Sequence, residues 1–261
     1  MAGKAAVKKK PAARVAALKA ADPKELTAKR FIEKLKTYQS DEELRKIQGY
    51  FKSGEGDYGH GDKFIGVRMG QLFVLAKSFV EMSPAEIEKL MESDIHEVRA
   101  GAMSIMGQQA MLKKTTQARR KELYDLYLRR HDRINNWDLV DLAAKPVIGQ
   151  HLADKPRAIL LKLAKSKNMW ERRTALYACL WFIMKEKSVE DTEAVCEILI
   201  NEKEEIIQKA LGGLVRCIGI DRPRLHAFLQ KHAATMPRVA LRYAIEKLSP
   251  AEKKRYMAMG R

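Results

Sequence analysis

The sequence has few cysteines and no long apolar stretch. Its three cysteines, Cys179, Cys196 and Cys217, form no C-x-x-C pair and are odd in number, which is typical of buried thiols in a reducing compartment. The longest apolar run, residues 175–184, is roughly half of the ~20 residues that a membrane span needs. The first residues lack the uncharged apolar core of a secretion signal. We therefore expect a cytoplasmic protein without a membrane partner.

Glycine, proline and acidic residues are also scarce. The 261 residues include 15 Gly and 8 Pro, and the alternation of apolar and polar residues that marks strands is nearly absent. This composition favours helices. Because 33 Asp and Glu stand against 50 Lys and Arg, the net charge is +17, which indicates an acidic partner, either nucleic acid or an anionic membrane surface.

The motifs of the common enzyme classes are missing or incomplete. Residues 54–59, GEGDYG, have the glycine spacing of a dinucleotide fingerprint, but no strand precedes them and two acids stand where a pyrophosphate would approach. His96-Glu97 begins like a zinc-binding H-E-x-x-H motif, but position 100 is alanine. A P-loop and a G-x-S-x-G turn are missing. We expect no metal and no organic cofactor, and a glycine-rich connector between Phe51 and Phe64.

The chain divides by composition into an arm and a body. Residues 1–20 contain six Lys or Arg and no acid, which predicts a disordered basic arm over residues 1–21 that either solubilises the protein or contacts phosphates loosely. In the body, residues 22–261, helix-capping sequences begin at positions 22, 40, 83 and 249. Short and longer helical segments alternate with a step of 33 to 37 residues. This pattern predicts an all-α, curved solenoid of HEAT-like helical repeats whose second helices line the concave side.

Four basic residues recur with the step of the helical repeat. Arg99, Arg173, Lys209 and Arg242 each lie near the start of a helical segment, at steps of 74, 36 and 33 residues. Because 74 is twice 37, one position is missing near residue 136. The series predicts a polyanion along one face, although cations on solvated helix faces would give the same pattern.

Trp137 and Asp141 begin at that missing position. Their i, i+4 spacing places an indole and a carboxylate on one face of one helix. The pair suggests a chemical site in the middle of the basic face. The alternatives are that Trp137 packs between repeats, and that Asp141 is a surface acid or pairs structurally with Arg173.

Five segments in order resemble the DNA alkylation repair family, the AlkD-like HEAT-repeat DNA glycosylases, over roughly residues 30–250. They are Phe64-Ile65-Gly66-Val67-Arg68, Ile95-His96-Glu97-Val98-Arg99, Trp137-Asp138-Leu139-Val140-Asp141, Trp170-Glu171-Arg172-Arg173-Thr174-Ala175 and Ile207-Gln208-Lys209-Ala210-Leu211-Gly212. The resemblance implies that Asp141 is the catalytic acid, that Trp137 is the stacking aromatic and that Arg173 is the active-site arginine. It also implies a second tryptophan in the cleft, but this sequence has Gly213 at that place.

The function implied is a monofunctional DNA glycosylase that removes cationic N3- or N7-alkylated purines from duplex DNA, as a nucleoid-associated cytoplasmic monomer. We expect Arg173 to clamp a phosphate near the lesion. The further DNA contacts that we expect are Arg99, Arg172, Lys209, Arg216, Arg238 and Arg242. A noncatalytic HEAT-repeat protein that binds distorted or branched DNA is the alternative, favoured by Gly213. A protein-interaction scaffold is a third reading.

Overall fold

A computed structural model describes residues 22–52 and 54–259 of the chain. The basic arm over residues 1–21 lies outside the described residues, so its disorder and its phosphate contacts stay predictions. None of the helices in the described ranges has both the length and the apolar character that crossing a bilayer requires.

In these ranges the chain forms fourteen α-helices. They are α1 Ala28–Lys36, α2 Asp41–Tyr50, α3 Met69–Ser78, α4 Pro84–Met91, α5 His96–Met111, α6 Gln117–Arg129, α7 Trp137–Ala143, α8 Ala158–Ala164, α9 Met169–Trp181, α10 Glu190–Ile198, α11 Glu205–Ile218, α12 Arg222–His232, α13 Arg238–Ala244 and α14 Pro250–Ala258. Two of them extend through π-helical turns: α7 into Ala144–Gly149 and α9 into Phe182–Glu186. Within the described chain, extended pairing is limited to a single bridge between Lys63 and Ile95.

Helix starts follow the capping sequences. The hydroxyls of Ser40, Ser83 and Ser249 each accept the backbone N–H three residues later and so begin α2, α4 and α14. The sequence at Asp22 behaves differently, because it precedes only a single 3-10 turn at Pro23–Glu25.

The helices stack as two layers. In the odd-numbered layer, α3 packs on α5, α5 on α7, α7 on α9, α9 on α11 and α11 on α13. Even-numbered helices pack against this layer: α4 and α6 on α5, α8 and α10 on α9, and α12 on α11. One continuous set of buried apolar side chains fills the space between the layers. This arrangement confirms the predicted all-α solenoid of helical repeats.

Glycines allow the odd-numbered helices to approach closely. A Cβ atom added at Gly149 would lie 2.4 Å from the carbonyl oxygen of Ala178 on α9. At Gly212 on α11 it would lie 2.2 Å from the carbonyl oxygen of Ala240 on α13. The next residue, Gly213, differs, because within the described chain an added Cβ meets no atom closer than 4 Å.

The neighbouring glycines of α11 provide a matched test of this packing. We expect Gly212→Ala to lower the free energy of unfolding by about 1–3 kcal/mol, because the methyl group collides with the backbone of α13. We expect Gly213→Ala to raise it by up to ~1 kcal/mol, because alanine favours the helix and the site is open. Urea denaturation of both variants measures the difference. Equal effects would contradict the close approach.

Candidate functional site

The carboxylate of Asp141 and the guanidinium of Arg173 form a bidentate ion pair. Asp141 lies one turn into α7, whose first residue, Trp137, donates its backbone N–H to the side chain of Asn136 at 2.8 Å. Nε and one terminal nitrogen of Arg173, on α9, donate to the two oxygens of Asp141 at 2.9 and 3.0 Å. The Asp141 side chain keeps 26% of its surface exposed, so it still faces water.

Arg173 is held from three sides. Besides pairing with Asp141, it donates to the backbone oxygen of Ile206 at 3.1 Å and to the hydroxyl of Tyr177 at 2.9 Å. All three of its nitrogens thus donate to the protein, and its side chain is only 5% exposed. A phosphate would have to displace these partners. Arg173 therefore positions Asp141, and its contact with a phosphate stays a prediction.

Two opposing effects act on the Asp141 carboxyl group. Burial raises its pKa and the adjacent Arg173 lowers it; burial has the larger effect, so the pKa lies above the ordinary value. Because arginine does not lose its proton in proteins, the bidentate pair favours the negatively charged form of the carboxyl group.

The indole of Trp137 is half-buried at the same place. It stacks on Phe51 with ring centroids 5.4 Å apart and planes inclined by 17°, and it meets the edge of Tyr50 at 5.6 Å. Trp137 is therefore partly a packing residue, as one alternative held, but it also lines the cavities beside Asp141.

Asp141, Trp137 and Tyr50 separate two cavities. The aromatic cavity, of about 540 Å³, lies between α2, α3 and α7, and Phe51, Phe64 and Phe73 are among its walls. The cationic cavity, of about 370 Å³, lies along α7, α9, α11 and α13. Its lining includes Arg173, Tyr177, Lys209, Gly213, Arg216 and Tyr243. The predicted Trp137, Asp141 and Arg173 therefore meet in one water-accessible region.

Gly213 opens into the cationic cavity, where the resemblance implies a second tryptophan. Tyr177 and Tyr243 supply aromatic surface nearby, and Tyr243 is 40% exposed. Sequence reasoning missed both tyrosines, and it missed Tyr50 and Phe51. Tyr50-Phe51 is an aromatic doublet just before the glycine-rich connector, and that adjacency is the signal that could have found it.

The cations predicted to contact DNA fall into different environments. Lys209 is 37% exposed and pairs with Glu205 one turn away, and Arg242 is exposed. Arg216 pairs with Glu246 at the edge of the cationic cavity. These three positions remain compatible with phosphate contact.

The remaining three arginines are engaged within the fold, and their contacts with DNA stay predictions. Arg99 is 4% exposed, and its guanidinium donates to Asp62 at 2.6 Å and to the backbone oxygen of Ser93. The guanidinium of Arg172 is held by Glu202 and by the carbonyl oxygens of residues 166 and 167. Arg238 donates to the carbonyl oxygens of residues 257 and 259 at the C-terminal end of α14. Each of them is engaged in holding the fold.

A buried polar network ties the connector to α5 and α7. His96, 1% exposed, makes hydrogen bonds through Nδ1 to Asp62 at 3.1 Å and through Nε2 to Asp138 at 2.8 Å. Burial alone would lower the pKa of His96, but the two flanking carboxylates raise it to about 9. Burial would also raise the pKa of Asp62, but His96 and Arg99 hold it well below its ordinary value. The network therefore alternates negative and positive charges.

Glu97 secures the segment that follows the connector. Its carboxylate is 2% exposed and accepts the backbone N–H groups of Ile65, Gly66 and Val67 at 2.8–3.3 Å. The histidine and glutamate of the incomplete H-E-x-x-H motif are thus structural. Among the described residues, no three His, Cys, Asp or Glu side chains are grouped so that they could hold a metal ion.

A family model described as DNA alkylation repair enzyme matches residues 31–248. The chain belongs to this family. The matched range runs from α1 to just beyond α13, so it contains both cavities and confirms the resemblance seen in the sequence. Membership in this family of DNA alkylation repair enzymes makes DNA the substrate. No curated protein matches the chain.

The His96 network predicts a pH-dependent stability. Because the folded pKa of about 9 exceeds the ordinary 6.5, the contribution of His96 is complete below pH 6.5 and is lost as the pH rises through 9. The stability difference between wild type and His96→Gln should therefore shrink by up to about 3 kcal/mol over this range, at ~1.4 kcal/mol per pKa unit.

Denaturant unfolding at several pH values measures this difference. His60→Gln, which changes an exposed histidine of the same connector, is the control. A wild-type minus His96→Gln difference that stays constant from below pH 6.5 to above pH 9 would refute the charged network.

Proposed function

We propose that this protein is a monofunctional DNA glycosylase that hydrolyses the N-glycosidic bond of cationic N3- or N7-alkylated purines in duplex DNA. The observation that carries the proposal is the geometry of the Asp141 carboxylate. Arg173 donates to both of its oxygens, and part of the Asp141 side chain remains exposed between the two cavities. Membership in the family of DNA alkylation repair enzymes supports DNA as the molecule on which this carboxylate acts.

The chemistry needs a fixed negative charge more than a proton donor. An alkylated purine carries a formal positive charge and is already a good leaving group. As the glycosidic bond lengthens, positive charge moves to the deoxyribose. A carboxylate near C1′ stabilises that charge and positions the attacking water. Because Arg173 holds both oxygens of Asp141, the carboxylate does not have to reorganise when the charge develops.

The indole of Trp137 would stabilise the same positive charge by a cation–π interaction. An aromatic face near a cationic base or sugar contributes on the order of 0.5–2 kcal/mol of cation–π attraction, depending on desolvation. Lys209, Arg216 and Arg242 would follow the phosphates along α11 and α13. Such binding reads no sequence, and its affinity should fall by about 0.9 log units per log unit of salt for each phosphate neutralised.

Asp141→Asn tests the proposal directly. Asparagine keeps the shape of the side chain but removes its charge, so we expect release of 7-methylguanine and 3-methyladenine from methylated duplex DNA to fall by about 100-fold or more. Affinity for the same DNA should persist. The control is Asp125→Asn, which removes an exposed carboxylate that pairs with Lys121 on α6. Base release by Asp141→Asn at the wild-type rate would contradict the assignment. Tight DNA binding by the wild type without release of any base would favour the noncatalytic alternative.

Gly213→Trp tests the open wall of the cationic cavity. An added side chain meets no described atom near its Cβ, so tryptophan should enter the cavity opposite Trp137 without disturbing the helix. We expect base release about 2- to 30-fold faster, the range that one cation–π contact supplies. Gly213→Ala should leave the rate unchanged. A slower reaction in Gly213→Trp, with the fold intact, would contradict this view of the cavity.

A further inference from the structure

Tyr177 reaches the Asp141–Arg173 ion pair from the same helix as Arg173. The two residues are four positions apart on α9, so their side chains share one face of this helix. The guanidinium carbon of Arg173 lies 4.5 Å from the centroid of the Tyr177 ring, and one terminal nitrogen donates to the Tyr177 hydroxyl at 2.9 Å. These two contacts fix the position of the phenol oxygen.

The same nitrogen of Arg173 brings this hydroxyl beside the catalytic carboxylate. It also donates to Oδ2 of Asp141 at 3.0 Å, so both oxygens are bound to one atom. Burial raises the pKa of the Asp141 carboxyl group, whereas Arg173 and then the Tyr177 hydroxyl lower it. Burial also raises the pKa of Tyr177 well above its ordinary value. The phenol therefore keeps its proton at neutral pH and directs it at the carboxylate.

The hydrogen-bonding capacity of these two groups is not exhausted. An ionised carboxylate offers about four acceptor sites. Arg173 occupies two of those on Asp141, and the proton of Tyr177 occupies a third. One site of Asp141 remains, and the phenol oxygen keeps a lone pair beside the bond from Arg173. Both residues line the cationic cavity, and Asp141 is partly exposed there. Two acceptors thus stand side by side at a water-accessible surface.

We propose that Tyr177 positions the attacking water together with Asp141. The water donates one proton to the carboxylate and the other to the phenol oxygen, so both of its lone pairs face the cationic cavity. This inference rests on the proposed glycosylase function. As the bond between C1′ and the purine nitrogen breaks, its electron pair neutralises the cationic purine. The water oxygen forms the new bond to C1′, and its proton passes to Asp141 and then to solvent.

Two tyrosine-to-phenylalanine variants test the hydroxyl. Tyr177→Phe removes one of the two acceptors of the water and keeps the ring beside Arg173. Tyr124→Phe is the control, because Tyr124 is a half-buried tyrosine of α6 that stacks on His151 and lines neither cavity. We expect Tyr177→Phe to slow single-turnover base release from methylated duplex DNA by about 2- to 10-fold, the usual range for one hydrogen bond, at unchanged affinity for the DNA. Tyr124→Phe should react at the wild-type rate.

Competition with methanol measures the position of the nucleophile separately from the rate. Methanol captures C1′ as a methyl glycoside that alkali does not cleave, whereas hydrolysis leaves an abasic site that alkali cleaves. The excess of released base over cleaved strand therefore gives the methanol product. Because methanol has only one hydroxyl proton, it cannot donate to both Asp141 and Tyr177, so the wild type favours water. We expect the methanol fraction to rise by about 2- to 10-fold in Tyr177→Phe and to stay constant in Tyr124→Phe.

The methanol fraction decides between positioning and a merely structural role. A higher fraction in Tyr177→Phe supports the proposal even at an unchanged rate, because water then attacks after the slow step. An unchanged fraction overturns the proposal, whether or not base release is slower. Equal changes in Tyr177→Phe and Tyr124→Phe overturn it as well.

A crystal structure of the full chain tests the water site without catalysis. We expect one ordered water within about 3.2 Å of both the Tyr177 hydroxyl and an Asp141 oxygen in the wild type, and its loss in Tyr177→Phe. A wild-type structure without this water overturns the proposal. A bridging water in a protein that releases no base would reject the glycosylase function but retain the water site, so the two failures are distinguishable.

Discussion

The ion pair between Asp141 and Arg173 is the interaction on which the site depends. A carboxyl group so largely enclosed would otherwise be driven towards its neutral form, and a neutral acid cannot stabilise a developing cation. Arg173 opposes this and also fixes the orientation of the carboxylate. Its bond to Tyr177 lies within α9, whereas its bonds to Asp141 and to the carbonyl oxygen of Ile206 at the start of α11 join three successive odd-numbered helices.

Such a pair forms only if consecutive odd-numbered helices keep a short and constant distance. Gly149 lets the extension of α7 lie against the backbone of α9, and Gly212 does the same for α11 against α13. The first contact joins the same two helices as the ion pair, and the second joins the next two odd-numbered helices along the solenoid. The repeat therefore contributes to the chemistry by setting a spacing, because a salt bridge of this geometry tolerates little change in the distance between its two helices.

The sequence predicted the helical solenoid and the three residues that meet at its centre, because both follow from local spacing: capping sequences, the repeat step and one i, i+4 pair. It could not predict the contacts that the irregular connector makes. Phe51 stacks on one face of Trp137, and Asp62 pairs with Arg99. The sequence separation within each of these pairs does not follow from the repeat. Arg99 and Lys209 occupy similar places in the repeat, yet only Arg99 meets a buried acid from the connector.

The free energies of the ion pairs that these cations make explain why the position of a cation in the repeat does not by itself define a DNA-binding face. Lys209 pairs with Glu205 at the surface, and an exposed i, i+4 pair contributes little to stability, so a phosphate can replace the glutamate at little cost. Breaking a buried pair such as Arg99–Asp62 costs several kcal/mol, because it leaves a charge without a partner away from water. A cation in a solenoid is therefore available to a polyanion only when its protein partner is absent or solvated. By that criterion Lys209 and Arg242, on α11 and α13, are more available to a polyanion than Arg99 is.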